Sequence, residues 1–419
     1  MSGSLTVRER RLGSAFDLLA LHPWPFVFER AGLGVAAVAA STLSGPDLAS
    51  LGRSALMLLR EHEQPQPEAP PFVVAGLPFR PDDMCEILFP HRWVRRTVPG
   101  ETWLLDCDHS GTPFAPFQPE PVAGRPPLDA FAEMQLTERP PSEGYRQAVA
   151  SAVSRIRGGD LRKVVLARTT GVQAGRLLDG RRLAHRLRAV DPLAYTFIVP
   201  ISAGDAEMHD APDRRPTLVG ASPELLLSRR GSEVLSNPLA GSAPRSGDPE
   251  EDRANADALV GSSKDREEHA IVVEAVAETL GPSCDELKWD LEPVLRETPN
   301  VWHLSTQFRG RLKDPVPTAL DLVAELHPTP AVAGAPREAA LDLIGELEPF
   351  DRGRYAGPVG WMDANGDGEW AIALRCARLQ DEEATLYAGA GIVADSVPAK
   401  ELEETERKFR AFLDALRWG

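Results

Sequence analysis

The sequence predicts an α+β fold. Three features carry that reading. Long segments place apolar residues at helical spacing, as in Lys264–Leu280 and Glu401–Leu416. Short β-rich runs lie between them, bounded by Gly, Pro and Asp. From Tyr355 to Val393 such runs follow one another through tight turns, so they pair as hairpins rather than alternate with helices as in a doubly wound sheet.

The elements follow in chain order. Prolines, 38 in all, cluster at Gln64–Pro71 and again from Pro113 to Pro141, where neither a long helix nor a central strand can run. The second cluster reads as a joint between an N-terminal portion, residues 1–135, and a second region, residues 136–419. Ser142 is placed to cap a helix bearing Tyr145, Val149, Val153 and Ile156, which Gly158-Gly159 stops. Leu161–Ala167 reads as a strand. So do Thr217–Gly220, Leu225–Leu227 and, after a turn at Arg229–Ser232, Glu233–Ser236. Gly281-Pro282 ends the helix Lys264–Leu280. Tyr355–Val393 predicts a meander of three strands turning at Asp363–Gly368 and Asp381–Glu383. Arg375 falls inside the middle strand, and Gly389 and Gly391 interrupt the last. Ala203–Arg215 reads as an exposed loop.

At roughly 150 residues per domain, 419 residues allow two or three domains or one large one. Asp and Glu (62) outnumber Lys and Arg (46), a net charge of −16. That excludes a general nucleic-acid binder and docking on anionic membranes, both of which need a basic surface. The chain is 42% hydrophobic and 26% charged, enough for a core, so neither disorder nor a disulfide-stapled scaffold fits. The N-terminus lacks a leader-like apolar region, and the longest nearly apolar stretch, Leu33–Ala40, falls short of the ~20 residues a membrane span needs. Cys85, Cys107, Cys284 and Cys376 form no CxxC pair, so we expect reduced thiols in a soluble cytoplasmic protein.

Two motifs are set aside. Asp363-x-Asn365-x-Asp367-Gly368 begins like a calcium loop, but the position that needs Glu holds Leu374, and a hairpin turn explains it better. GxGxxA strings at Gly32 and Gly389 lack the strand–helix setting of a dinucleotide site.

Several residues look chemical. Lys163 shares a strand face with Leu161, Val165 and Ala167. It is either a strand-end lysine that snorkels to water or a buried amine usable as a base. Glu224, after Pro223 and before Leu225–Leu227, is either a solvated turn residue or a desolvated acid. Glu268 falls beside the buried stripe of its helix, with Asp265 one turn earlier, so it needs a cationic partner. Glu401, Glu404 and Lys408 share a helix face. An exposed Glu404–Lys408 pair is the plain reading, and carboxylates from two helices holding a divalent ion the other. Arg375, with Gly389 and Gly391 nearby, suits either a substrate carboxylate or tight strand packing.

Taken together, the strings resemble the chorismate-utilising enzymes, and most closely the isochorismate synthases. They are KVVLAR (Lys163–Arg168), GASPELLL (Gly220–Leu227), PLAGSAPR (Pro238–Arg245), KDREEH (Lys264–His269), VWHLST (Val301–Thr306), LHPTPAVAG (Leu326–Gly334), YAGPVGW (Tyr355–Trp361), IALRCARL (Ile372–Leu379), AGAGIV (Ala388–Val393) and ELEETERK (Glu401–Lys408). They stand in family order across about Ser142–Phe412, and FVVAGLPF (Phe72–Phe79) is similar to the family's early strand.

The resemblance implies one compact unit of packed antiparallel sheets with outer helices. It implies a Mg2+-dependent isomerase that converts chorismate to isochorismate, a precursor for menaquinone and siderophores. Lys163 matches the base that activates water for attack at C2. Glu224 matches the acid that protonates the departing C4 hydroxyl. Glu268 and Glu404 match the metal ligands, with Asp265 and Glu401 holding metal-bound waters. Gly241 and Ser242 match the loop at the ring carboxylate. Tyr355, Arg375, Gly389 and Lys408 match the clamp for the enolpyruvyl carboxylate, and His303, Thr329 and Ala331 match further pocket positions.

Relatives that aminate chorismate usually lack the lysine at position 163. The aminodeoxychorismate type carries a nucleophilic lysine where this chain has Ala240. The chain ends at Gly419, so no fused glutamine amidotransferase is expected, and such synthases are generally monomers. Salicylate synthases, which go on to eliminate pyruvate, generally show GT(R) where this chain has Gly241-Ser242-Ala243. A non-catalytic chorismate-binding relative is the other alternative. Against it, every matched catalytic position holds the expected residue type.

Overall fold

The computed structural model describes residues 6–12, 17–20, 26–61, 71–98, 101–108, 134–201 and 216–418. Gln64–Pro70, the second proline cluster up to position 133, and Ala203–Arg215 lie outside the described residues.

All strand pairings are antiparallel, as the hairpin pattern predicts, and they form two long ladders and one small sheet. In the first ladder, Phe26–Arg30 pairs with Tyr195–Pro200, which pairs with Thr217–Ser222. It continues through Cys376–Gln380 and Glu383–Ile392 to Lys163–Gln173. In the second, Phe72–Gly76 pairs with Pro358–Asp363, followed by Gly368–Ile372, Leu225–Arg230, Glu233–Asn237, Phe308–Leu312 and Cys284–Trp289. The ladders join through Leu33–Gly45, which pairs with Phe26–Arg30, and Cys85–Val98, which pairs with Leu33–Gly45 and faces Val74 with Leu88. The small sheet orders Leu239–Pro244, Val301–Ser305 and Val294–Glu297. Strands from before and after the proline-rich joint thus pair in the same ladders.

The predicted three-strand meander has four strands. Its middle run is broken at residues 373–375, where Arg375 takes a left-handed φ of 47°. Gly368–Ile372 pairs with Leu225–Arg230 in the second ladder, whereas Cys376–Gln380 pairs with Thr217–Ser222 in the first. The neighbouring run breaks at the same level, at Pro223-Glu224. Two adjacent strands therefore leave one ladder together and enter the other. Backbone bonds bridge the gap: Ile372 N–H donates to the Glu224 carbonyl (3.2 Å) and Ala221 N–H to the Arg375 carbonyl (3.2 Å). Glu224 and Arg375 thus stand side by side where the sheets part.

Helices cover the outer faces. Ser142–Gly158 ends, as predicted, on left-handed Gly159. Its start differs. Ser142 is already helical, and Glu138 Oε2 accepts from its N–H (3.2 Å) and its hydroxyl (2.8 Å). A carboxylate there also offsets the positive end of the helix dipole. Pro398–Trp418 packs on Glu383–Ile392, sending Leu402 into the main core and Phe409, Phe412 and Leu416 into a second. Ser263–Leu280, capped by the Ser262 hydroxyl on Asp265 N–H (3.2 Å), lies on strand Leu239–Pro244. No helix among the described residues is long and apolar enough to cross a membrane. Cys85, Cys284 and Cys376 are buried free thiols.

One buried ion pair ties the segments behind the sheet junction. Arg352 donates to the carbonyls of Val165 (2.7 Å) and Val332 (2.8 Å) and to Glu348 (2.9 Å), whose other oxygen accepts from Ala167 N–H (2.7 Å). Both side chains are almost wholly buried. Arg352→Met leaves the Glu348 charge without its partner, so urea denaturation should show a loss of about 3–5 kcal/mol. A loss under about 1 kcal/mol would show that the pair is dispensable.

Candidate active site

A cleft of about 760 Å³, counted to its open mouth, lies where the ladders part. Most of the sequence-predicted residues border it: Glu224, Glu268, Glu404 and Lys408; Gly241, Ser242 and His303; Ala331, Tyr355, Arg375 and Gly389. Lys163, Asp265, Thr329 and Glu401 stand immediately behind these. Thr329 is buried with its hydroxyl unpaired, two residues before Ala331.

Glu224 is 3% exposed. Burial pushes its carboxyl up to about 8, against the charges of Lys163 and Lys408 and the Leu239 N–H. The carboxyl therefore keeps its proton at neutral pH and can donate it. The Pro223-Glu224 break in the strand run leaves Glu224 bordering the cleft.

Lys163 is wholly buried and its Nζ lies 3.1 Å from Glu268 Oε1. The amine sits off the line of a hydrogen bond and has no other acceptor among the described residues. Of the two sequence readings, snorkelling is excluded and the buried amine stands. Burial would raise the Glu268 carboxyl, but Lys163, with Lys264 and Lys408, holds it below its usual range.

Gly389 and Gly391 do not interrupt their strand, which stays in register with Lys163–Gln173 throughout. Their bareness serves the chain's own side chains. A Cβ on Gly391 would sit 2.0 Å from Glu268 Oε1 and 3.2 Å from Lys163 Cε, and one on Gly389 would sit 3.1 Å from the Tyr355 hydroxyl. Gly391→Ala should therefore expel Glu268 and lower kcat about 100-fold with the melting temperature nearly unchanged. A variant within about threefold of wild type would show that Glu268 tolerates displacement.

Helices Ser263–Leu280 and Pro398–Trp418 converge their acids on the same end of the cleft. Burial, then Glu404, pushes Glu401 up to about 7. Burial also raises Asp265, helped by Glu268 and Glu404 and opposed by the Ser262 hydroxyl. Three lysines balance this charge. Lys264 donates to Glu401 (2.7 Å), Lys408 donates to Glu404 (2.7 Å) and to the Gly389 carbonyl (2.7 Å), and Lys163 faces Glu268. The plain Glu404–Lys408 pair thus exists, but it is half-buried at the cleft rather than out in solvent. Among the described residues, no group of three or more His, Cys, Asp and Glu is spaced to hold a metal. The donor set still fits magnesium, which takes one or two carboxylates and completes its shell with water and substrate oxygens.

At the other end, Arg375 Nη1 donates to the Thr298 hydroxyl (3.1 Å) and Nη2 lies 2.7 Å from His303 Nε2. Burial, then Arg375, pushes His303 far below its ordinary value, so the ring is neutral. Its Nδ1–H then donates to the Gly241 carbonyl (3.3 Å), leaving Nε2 to accept from Arg375. Burial lowers Arg375 to about 10, so it remains a cation, and no carboxylate pairs with it among the described residues. Tyr387, which the sequence did not single out, also lines the cleft and stacks on Tyr355 (4.9 Å). Lys264 was legible only as part of KDREEH, and Thr298 carried no signal.

A sheet-junction cleft with a protonated acid, a buried amine, paired carboxylates and an unpaired guanidinium defines an enzyme site for a small polyanion. A family model described as chorismate binding enzyme matches residues 122–417, and the chain belongs to that family. It is 41% identical over 346 residues to the isochorismate synthase DhbC of Bacillus subtilis, covering 83% of this chain and 81% of that protein. It is 36% identical over 347 residues to the isochorismate synthase EntC of Escherichia coli K12, covering 82% and 81%. The solved structure of MenF, the menaquinone-specific isochorismate synthase of Escherichia coli, matches with a TM-score of 0.80 at 25% identity, over 98% of this chain and 94% of that one.

Proposed function

We propose that this chain interconverts chorismate and isochorismate. The observation that carries the reading is the burial at one cleft of an amine, Lys163, and a carboxyl, Glu224, close enough for the charge of the first to act on the second. Isomerisation needs both at once. A water loses a proton to the amine as its oxygen bonds to C2, the ring double bonds shift, and the C4–O bond breaks. Glu224 gives its proton to that departing oxygen, so a water leaves as a water adds and the atoms balance. In the reverse direction the two groups exchange roles. Lys163 serves as a base only from its neutral form, and its wholly buried side chain reaches the cleft beside Glu268.

Glu268 and Glu404 would hold magnesium, with Asp265 and Glu401 orienting its waters. When bound, the ion supplies a Lewis-acidic grip on the ring carboxylate. Gly241 packs against Asp265 at that end, and the wall runs on through Ser242 toward His303. The enolpyruvyl carboxylate is received by Arg375, which forms no ion pair among the described residues, with the Tyr355 hydroxyl and Lys408 alongside. Lys163 occupies the position at which chorismate-aminating relatives usually lack a lysine, so the reading includes no amidotransferase subunit and takes the chain as a monomer.

The test is a product assay by NMR on purified protein with chorismate. We expect a reversible mixture of chorismate and isochorismate, lost on chelation with EDTA and restored by magnesium. Salicylate with pyruvate at neutral pH would instead place the chain with the enzymes that eliminate further. Unchanged chorismate with magnesium present would sink the reading.

A further inference from the structure

The small sheet carries one more cation toward the substrate. In its ladder, Ser242 and Arg296 both stand opposite His303. Directly opposed residues of an antiparallel sheet share a face. The three side chains therefore form a row that starts in the cleft with Ser242 and His303 and ends on half-buried Arg296. Arg296 forms no ion pair among the described residues. Its Nη1 donates only to the neutral Asn237 amide oxygen, at a long 3.3 Å. Its charge reaches His303, and burial, then the like charge of Arg30, lowers its own pKa.

The charge balance of the cleft gives this position its use. Lys163, Lys264 and Lys408 each face a carboxylate, so none of the three is a spare positive charge. At the opposite end two guanidiniums, Arg375 and Arg296, hydrogen-bond only neutral groups, and one carboxylate, Asp191, acts on both without forming an ion pair with either among the described residues. The chain as a whole carries −16, a field that opposes a dianion. A locally net-positive end is what draws such a ligand in and orients it.

We propose that Arg296 is a rim cation of the substrate site, adding through-space attraction for the carboxylate that docks on Arg375. This rests on chorismate being the substrate. Because the interaction is long-range, it acts equally on ground and transition states, so its loss should appear in KM and leave kcat alone.

The experiment compares wild type, Arg296→Gln and Arg296→Lys at two ionic strengths. At about 20 mM salt we expect Arg296→Gln to raise KM for chorismate about five- to tenfold, with kcat within about twofold and Arg296→Lys close to wild type. At about 0.5 M salt the KM gap should close to within about twofold, because salt screens a through-space attraction from a half-exposed charge. A KM unaffected at low salt would overturn the proposal. So would a fall in kcat with a lower melting temperature at both salts, which is the signature of a structural role through Asn237. If the wild type itself fails to turn over chorismate, the functional reading fails instead, and the two failures are told apart by that control.

Discussion

Glu224→Gln is expected to fold normally, bind chorismate and lose about 10²- to 10⁴-fold in kcat. The amide keeps the shape of the carboxyl and its place beside the Leu239 N–H, but has no proton to give. The pH profile supplies the second arm. The acid works protonated, so wild-type kcat should fall as pH rises through about 8. Residual activity in the variant should lack that limb. Stability follows the same proton. Between the ordinary carboxyl value of 4.5 and about 8, the folded chain holds a proton that the unfolded chain has lost. The folded state thus binds more protons in this window, so wild-type stability falls with rising pH there. Urea melts at pH 6 and pH 9 should show that slope in wild type and its reduction in the variant. A variant with kcat within tenfold of wild type would remove Glu224 from the acid role.

Lys163→Met should cost at least as much. Methionine nearly matches the lysine stem in the buried slot, yet cannot take a proton from water, and we expect kcat to fall about 10³-fold or more. The change also strips Glu268 of its nearest cation. Lys264 and Lys408 remain in electrostatic reach, so the chain should still fold, with a lower melting temperature. Retention of chorismate binding by calorimetry, alongside the loss of turnover, would separate a chemical role from a collapsed cleft. Turnover within tenfold of wild type would require a different base.

The two variants probe groups that differ in how legible they were. Glu268 was visible from periodicity alone: helical spacing placed it beside Ile271, Val272 and Val276, and burial there demands a cation. The cation proved to be Lys163, more than a hundred residues earlier. Side-chain alternation put Lys163 on an apolar face but could not choose between a buried amine and one that reaches water. The choice was made by Glu268 and by Gly391 on the neighbouring strand, whose missing side chain leaves room for both. Arg375 shows the opposite case. Its flanks read as one continuous strand, and nothing local announces a left-handed residue there. The break exists because the two halves of that run have different partners. At Ser142 a local rule was overridden: Glu138, brought round by the strand it ends, reached the helix start first.

By itself the sequence determined the fold class, three of the eight α-helices among the described residues (Ser142–Gly158, Ser263–Leu280 and, short of its first turn, Pro398–Trp418), the hairpin turn at Asp363–Gly368 and the types of residue available for chemistry, because these depend on neighbours within a few positions. Only the tertiary structure decided how those residues act. The paired breaks at Pro223-Glu224 and at 373–375 open the cleft between two ladders, and burial there sets the proton on Glu224 and the pairing of Lys163. Desolvation and long-range pairing are properties of what surrounds a residue, and that surrounding is assembled from segments far apart in the chain.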